Sequence, residues 1–197
     1  MNDYDAFIAG KSTKPRQQGF EPAWVPEFLY PFQKAVVEWS IRLGRACLFE
    51  DCGLGKTVQQ LVWSRNVADH TRKPVLILCP LAVAQQTVKE GARFGIAVNH
   101  CHQPEDLADG INITNYERIE LFEGVIEKLG GVVLDESSIL KSFTGKTRQT
   151  LTRMMHPVEY KLCCTATPSP NDYTELGQHA EFLGVCSWQQ MLATWFI

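Results

Sequence analysis

Glu50-Asp51-Cys52-Gly53-Leu54-Gly55-Lys56-Thr57 is the stretch where residue type and spacing first suggest chemistry. It follows an apolar run and opens a helical stretch, which is the setting a phosphate-binding loop requires. Gripping a triphosphate takes backbone N–H groups that converge on its oxygens, and Gly53 and Gly55 let the chain turn that tightly. A helix starting near Lys56 adds its unpaired N–H groups and the positive end of its dipole. Lys56 is then placed to reach the β- and γ-phosphates of ATP, and Thr57 to set a hydroxyl on Mg²⁺. The strict loop pattern has another glycine where Glu50 stands, so the match is to the shorter Gly-x-Gly-Lys-Thr form. A chance glycine turn with an exposed lysine is the plain alternative.

Further on, Val132-Val133-Leu134-Asp135-Glu136 is an apolar run that ends in two carboxylates. At such a strand end Asp135 can hold Mg²⁺ and Glu136 can polarise an attacking water. Alone, the pair reads more readily as a solvated strand end, the commoner fate of acidic dipeptides; downstream of a phosphate loop it acquires a use. His100-Cys101-His102 invites a metal reading, but adjacent residues seldom aim at one ion and no second ligand pair stands at zinc spacing.

The elements that must carry these residues are legible as alternating runs. Residues 46–49, 75–79, 111–114, 132–134 and 161–165 are short and apolar without alternation, as strands buried on both faces of a parallel sheet are. Residues 58–69 and 81–94 between them are long enough for crossover helices. Ahead of the first strand, Phe32, Ala35, Val36, Trp39 and Leu43 fall at helical spacing, so 32–44 is expected as an amphipathic helix with Trp39 in the core. Pro31 sits at its entry. The fold class is α/β, with a mostly parallel sheet flanked by helices. Residues 1–29, polar and rich in Pro, Gly, Lys and Gln, read as an N-terminal arm.

The 197 residues carry a formal net charge of -3 and are 45% hydrophobic, ordinary for a globular domain. A sequence pI near 6.0 gives no general basic surface, so any nucleic-acid contact must be local. Apolar runs stay well short of the roughly 18 residues a membrane span needs, and the N-terminus lacks a secretory pattern. Seven cysteines, an odd number without a Cys-x-x-Cys, suit a reducing, cytoplasmic setting.

Taken in order, these motifs resemble those of superfamily 2 helicases, and most of all Snf-type remodelling ATPases with their phage and bacterial relatives. Pro31-Phe32-Gln33 is similar to the segment whose glutamine reads adenine, and Gly53-Leu54-Gly55-Lys56-Thr57 to the family's phosphate loop. Leu78-Cys79-Pro80 resembles the strand into motif Ia, and Ile113-Thr114-Asn115-Tyr116-Glu117 motif Ib. Asp135-Glu136-Ser137-Ser138 stands at motif II, and Thr165-Ala166-Thr167-Pro168 with Asn171 at motif III. Glu175-Leu176 and Phe182-Leu183 are similar to the helix that follows.

The resemblance implies a RecA-like P-loop domain over residues 30–185, with 186–197 starting a linker to a second RecA-like motor domain. It implies a nucleic-acid-dependent ATPase that uses ATP and Mg²⁺, acting on DNA in preference to RNA, with Gln33, Gly53, Leu54, Gly55, Lys56 and Thr57 on the nucleotide. Pro80, Leu81, Gln85, Thr114 and Asn115 would touch the nucleic-acid backbone, a contact that carries little sequence information. Lys141, Lys146, Arg148, Arg153 and Lys161 add a basic segment that is equally a solvated face. Ser137-Ser138 departs from the family's usual pair, which puts the link from motif II to motif III in question. A restriction-system motor subunit and a nonenzymatic ATP-binding scaffold share most of these features, while a small-molecule kinase leaves Gln33 and Thr165–Pro168 unexplained.

Overall fold

The computed structural model describes residues 18–142, 145–169 and 171–196 of the chain. Six parallel strands form one sheet: β1 Arg45–Phe49, β2 Val75–Cys79, β3 Val98–His100, β4 Ile111–Asn115, β5 Gly131–Asp135 and β6 Tyr160–Thr165. Their order across the sheet is β1-β6-β5-β2-β4-β3. The strands β2, β4 and β6 are buried at every residue, which is why their sequences run apolar rather than alternate.

Helices α1 Pro31–Leu43, α2 Lys56–Thr71 and α3 Ala84–Arg93 cover one face. Val37, Ile41, Leu61, Trp63 and Val67 meet Val75, Ile77, Val133 and Leu162 there. The other face is covered by a succession of tight 3₁₀ turns at Tyr116–Lys128, then α4 Ile139–Ser142, α5 Gly145–Met154 and α6 Leu176–Leu183. Phe122, Ile126, Leu151 and Phe182 pack there on Leu76, Leu78, Val132 and Leu134. Strand residues of alternate parity thus feed two separate cores. The last helix, α7 Trp188–Trp195, lies against α6 through Met191.

Three expectations change. The buried face of α1 is Gln33, Val37, Ser40 and Ile41, while Phe32 and Trp39 stay 44% and 49% exposed, so Trp39 is not core. The two buried polar residues are satisfied, Ser40 by the Val37 carbonyl at 2.8 Å and Gln33 by Tyr30 and Leu54, which lets a polar-looking stripe face inward. Trp39 instead lines a cavity of about 780 Å³ beside the free edge of β1, with Leu43, Phe49, Val185 and Trp195.

Second, the described part of the arm is irregular but fastened. The Asn66 side chain accepts from the N–H groups of Ala23 and Trp24 at 2.9 and 3.0 Å and donates to the Trp24 carbonyl at 2.7 Å. Phe20 stacks on His70 with ring centroids 3.8 Å apart. Residues 1–17 of the arm lie outside the described residues. Third, the crossover expected over 81–94 begins at Ala84, because Pro80 to Val83 forms a turn closed by Val83 N–H on the Pro80 carbonyl at 3.0 Å.

Candidate nucleotide-binding site

Parallel register brings the chemical residues to one end of the sheet. Phe49 pairs with Thr165 and Asp135 with Cys164, so the carboxyl ends of β1, β6 and β5 stand side by side. Ligands of open α/β sheets bind outside such strand ends. The loop from Glu50 to Gly55 leaves β1 there and returns as α2.

Gly53 and Gly55 both have φ of 82°, the left-handed region where a side chain is strained. At Gly55 a Cβ would also collide with the Gln33 amide. Lys56 Nζ donates to the carbonyls of Glu50 and Asp51 at 2.8 and 2.9 Å, which holds its charge within the loop. From below, Gln59 Nε2 donates to Glu50 Oε2 at 2.7 Å and to the Leu54 carbonyl at 3.2 Å. Burial pushes the Glu50 carboxyl above its usual range, against the opposing Gln59 hydrogen bond and Lys56 charge. Thr57, in the first turn of α2, is half-buried.

Gln33 has a job in this loop that the sequence did not reveal. Its Nε2 donates to the Leu54 carbonyl at 2.9 Å, and its Oε1 accepts from the Tyr30 N–H at 3.0 Å. The side chain is 5% exposed and ties α1 to the phosphate loop.

The acidic pair is unevenly placed. Asp135 is pushed up to about 6, first by burial and also by Glu136; Gln60 and the Lys56 charge oppose the rise. The influence of Lys56 records how close the fold brings the two motifs. Buried Tyr116 donates its hydroxyl to the Asp135 carbonyl at 3.0 Å, fixing the strand end. A strand-end carboxyl that burial makes costly to ionise is an oxygen donor whose charge a hard divalent cation can neutralise.

Glu136 follows at φ 56°, left-handed for a residue with a full side chain. Such strain costs on the order of 1–3 kcal/mol and gathers at functional sites. Two hydroxyls fix the resulting carboxylate: Ser138 Oγ donates to Glu136 Oε1 at 2.6 Å and Thr165 Oγ1 at 2.7 Å. Thr165 Oγ1 in turn accepts from the Thr167 N–H at 3.0 Å. Motif II and motif III are therefore joined at Glu136, through Ser138 from one side and Thr165 from the other.

The residues expected to meet nucleic acid divide. Leu81 is 70% exposed, Gln85 is exposed and Pro80 is partly so, along the turn into α3. Thr114 and Asn115 are buried at 0% and 3%, so their side chains offer no surface. Asn115 Nδ2 instead donates to the Pro80 carbonyl at 3.4 Å and props the turn that carries Leu81. Within the basic segment Arg153 is exposed, whereas Lys161 is 2% exposed with Nζ on the Phe182 carbonyl at 3.1 Å. Burial lowers Lys161 to about 8, so it is no part of a solvated basic face. The side chains of Lys141 and Lys146 lie outside the described residues. Among the described residues no metal-binding group of three His, Cys, Asp or Glu side chains forms, at His100–His102 or elsewhere. No described helix is long and apolar enough to cross a membrane.

Known proteins are similar to this chain in sequence and in fold. A phage of the Acyrthosiphon pisum secondary endosymbiont encodes a putative protein p41 that is 26% identical over 176 residues, covering 78% of this chain and 38% of that protein. A Caenorhabditis elegans homologue of the SWI/SNF-related matrix-associated actin-dependent regulator of chromatin subfamily A-like protein 1 is 28% identical over 163 residues, covering 76% of this chain and 23% of its own length. The chain thus spans well under half of these relatives. In structure it resembles the Sulfolobus solfataricus SWI2/SNF2 ATPase core in complex with dsDNA, with a TM-score of 0.69 at 22% identity over 88% of this chain and 40% of that one. It also resembles the UvsW helicase of bacteriophage T4, with a TM-score of 0.66 at 13% identity over 91% of this chain and 65% of that one. These likenesses establish the RecA-like α/β fold. The SNF2-related domain model matches residues 32–196, nearly the whole described chain, and the chain belongs to that family.

Proposed function

We propose that this domain binds Mg²⁺-ATP at the carboxyl ends of β1, β5 and β6, as the first of two RecA-like motor domains of a nucleic-acid-dependent ATPase. The observation that carries the reading is the parallel register that sets the phosphate loop with Lys56, leaving β1, beside the strand ends that carry Asp135, Glu136 and Thr165.

In this reading the N–H groups of Gly53, Leu54, Gly55, Lys56 and Thr57 wrap the phosphates, and Lys56 exchanges its two loop carbonyls for phosphate oxygens. Thr57 and Asp135 hold Mg²⁺, which supplies charge neutralisation on the phosphates. Glu136, aimed by Ser138 and Thr165, orients the attacking water and takes its proton. Phosphoryl transfer needs little else from a protein than positioning and charge. Gln33 supports the loop in place of reading the base.

Pro80, Leu81 and Gln85 form the surface offered to a nucleic-acid backbone, with Asn115 as their prop and Thr114 withdrawn from it. Double-stranded DNA is favoured as the partner, since a structural neighbour was solved with dsDNA. We place the domain from residue 18 to 196, wider than 30–185, because the lead-in and α7 both pack on it. The seven free cysteines suit a reducing, cytoplasmic setting.

Hydrolysis tests the reading. The protein containing both motor domains should hydrolyse ATP faster when double-stranded DNA is added, and less so with RNA. The 197 residues alone should turn over slowly, since an arginine supplied from a second domain is worth about 10³–10⁵ in rate. Hydrolysis by the two-domain protein that ignores every nucleic acid contradicts the proposal.

A further inference from the structure

Ser137 and Ser138 follow the acidic pair, and the fold sends them in opposite directions. Ser138 turns back onto Glu136. Ser137 turns away from the loop into the protein, where it is fully buried. Its Oγ lies 3.0 Å from Nε2 of His179 in α6.

His179 is itself 2% exposed, and its ring meets Phe49 edge-on with centroids 5.3 Å apart. Phe49 is the last residue of β1 before the phosphate loop. One imidazole therefore touches the strand ends on both sides of the candidate nucleotide site. The backbone around Ser137 is equally constrained, since its N–H donates to the Cys164 carbonyl at 2.8 Å. Ser137 follows directly on Glu136, which is held at a left-handed φ, so the two share one constrained turn.

On the far side, α6 packs tightly against α7. Gly177 lies so tightly under Trp188 that a Cβ there would collide with the ring. Trp188 Nε1 also donates to the Thr174 carbonyl at 3.1 Å. The carboxyl end of α6 is moored separately, by Lys161 Nζ on the Phe182 carbonyl and Arg45 Nη1 on the Leu183 carbonyl at 3.0 Å. Cations at the negative end of a helix are favourably placed. The helix is thus pinned at one end to the starts of β1 and β6, and its inner face reports on their opposite ends through His179.

We infer that the Ser137–His179 hydrogen bond transmits nucleotide occupancy to the α6–α7 unit, with His179 as a positioning residue outside the nucleotide site. This rests on the reading of Lys56, Asp135 and Glu136 as that site. Coupling travels through contiguous contacts, and His179 joins α6 to Ser137 and Phe49, which flank the candidate site on two strands. The pair also accounts for Ser137, which the nucleotide chemistry leaves without a task.

The test uses the 197-residue chain, a Mg²⁺-bound non-hydrolysable ATP analogue, and Trp188 as reporter, its emission isolated by subtracting that of Trp188→Phe. Saturating analogue should change Trp188 emission in the wild type and in His179→Gln, whose amide can still hydrogen-bond Ser137. Ser137→Ala and His179→Leu should bind the analogue within about threefold of wild type, a small difference on a free-energy scale, yet lose the emission change. In the wild type the carbon-bound ring proton of His179 should also shift in NMR spectra on saturation, a readout that needs no variant. An unmoved His179 resonance, or a full Trp188 response in Ser137→Ala and His179→Leu, overturns the coupling alone. Absence of analogue binding by the wild type overturns the nucleotide site and the coupling together.

Discussion

Thr165 Oγ1 donates a 2.7 Å hydrogen bond to Glu136 Oε1, joining the end of β6 to the residue just past β5. Ser138 supplies a second hydroxyl to the same oxygen at 2.6 Å. The carboxylate is thereby aimed before any water arrives. Hydrogen bonds to charged groups contribute about 1.5–3 kcal/mol, and one is left when the other is removed. In a protein carrying both motor domains, Thr165→Val should lower ATP turnover about tenfold, equal to about 1.4 kcal/mol. Nucleotide affinity should stay within about threefold. Steady-state hydrolysis beside a binding titration checks it, and unchanged turnover removes Thr165 from the mechanism.

Asp135 carries a stability cost with a definite sign. Its folded-state value of about 6 lies above the usual 3.8, so the folded form holds more protons between those two values. Stability therefore falls as pH rises through that window and stays reduced above it, by on the order of 3 kcal/mol. Asp135→Asn removes the ionisation. Without Mg²⁺ or nucleotide the variant should melt higher than wild type at about pH 7.5, and the gap should narrow towards about pH 5. The same variant should lose Mg²⁺-dependent nucleotide binding. Thermal melts across pH decide, and a variant less stable than wild type at neutral pH contradicts the burial argument.

Gln33 separates two readings of one residue. The resemblance implies adenine recognition, whereas both ends of the amide are engaged with Tyr30 and Leu54. Gln33→Ala should loosen the loop and weaken ATP and GTP alike, by about tenfold for the loss of roughly 1.4 kcal/mol. Competition titrations with the two nucleotides check this. Loss of ATP affinity alone would restore the adenine role.

The sheet was readable because strands buried on both faces leave unbroken apolar runs: β2 matches its run residue for residue, and β6 begins one residue before its run. The phosphate loop and the acidic strand end were readable because each is contiguous. What escaped depends on partners distant in sequence. Trp39 was misplaced because Gln33, held by Leu54 21 positions on, and Ser40, held within its own helix, occupy the inward face of α1 that apolarity alone would assign to Trp39. Ser137 and His179 lie 42 positions apart and meet only once α6 folds back over the strand ends. Lys161 fell both in an apolar run and in a basic segment, and the Phe182 carbonyl that receives its buried ammonium lies 21 positions on. Thr114 and Asn115, set on the nucleic acid by the resemblance, sit on a strand buried along its whole length and do not reach the surface.

Lys56 offers the most direct measurement of the central claim, that nucleotide binds where β1 turns into α2. Ligand at 100 times its dissociation constant stabilises the folded state by about 2.7 kcal/mol. For a domain of this size that corresponds to a rise in melting temperature of about 5–10 °C. Mg²⁺-ATP should produce such a rise in the wild-type chain, and Lys56→Ala should abolish most of it while melting normally without ligand. An undiminished rise in Lys56→Ala would place the nucleotide elsewhere and contradict the account.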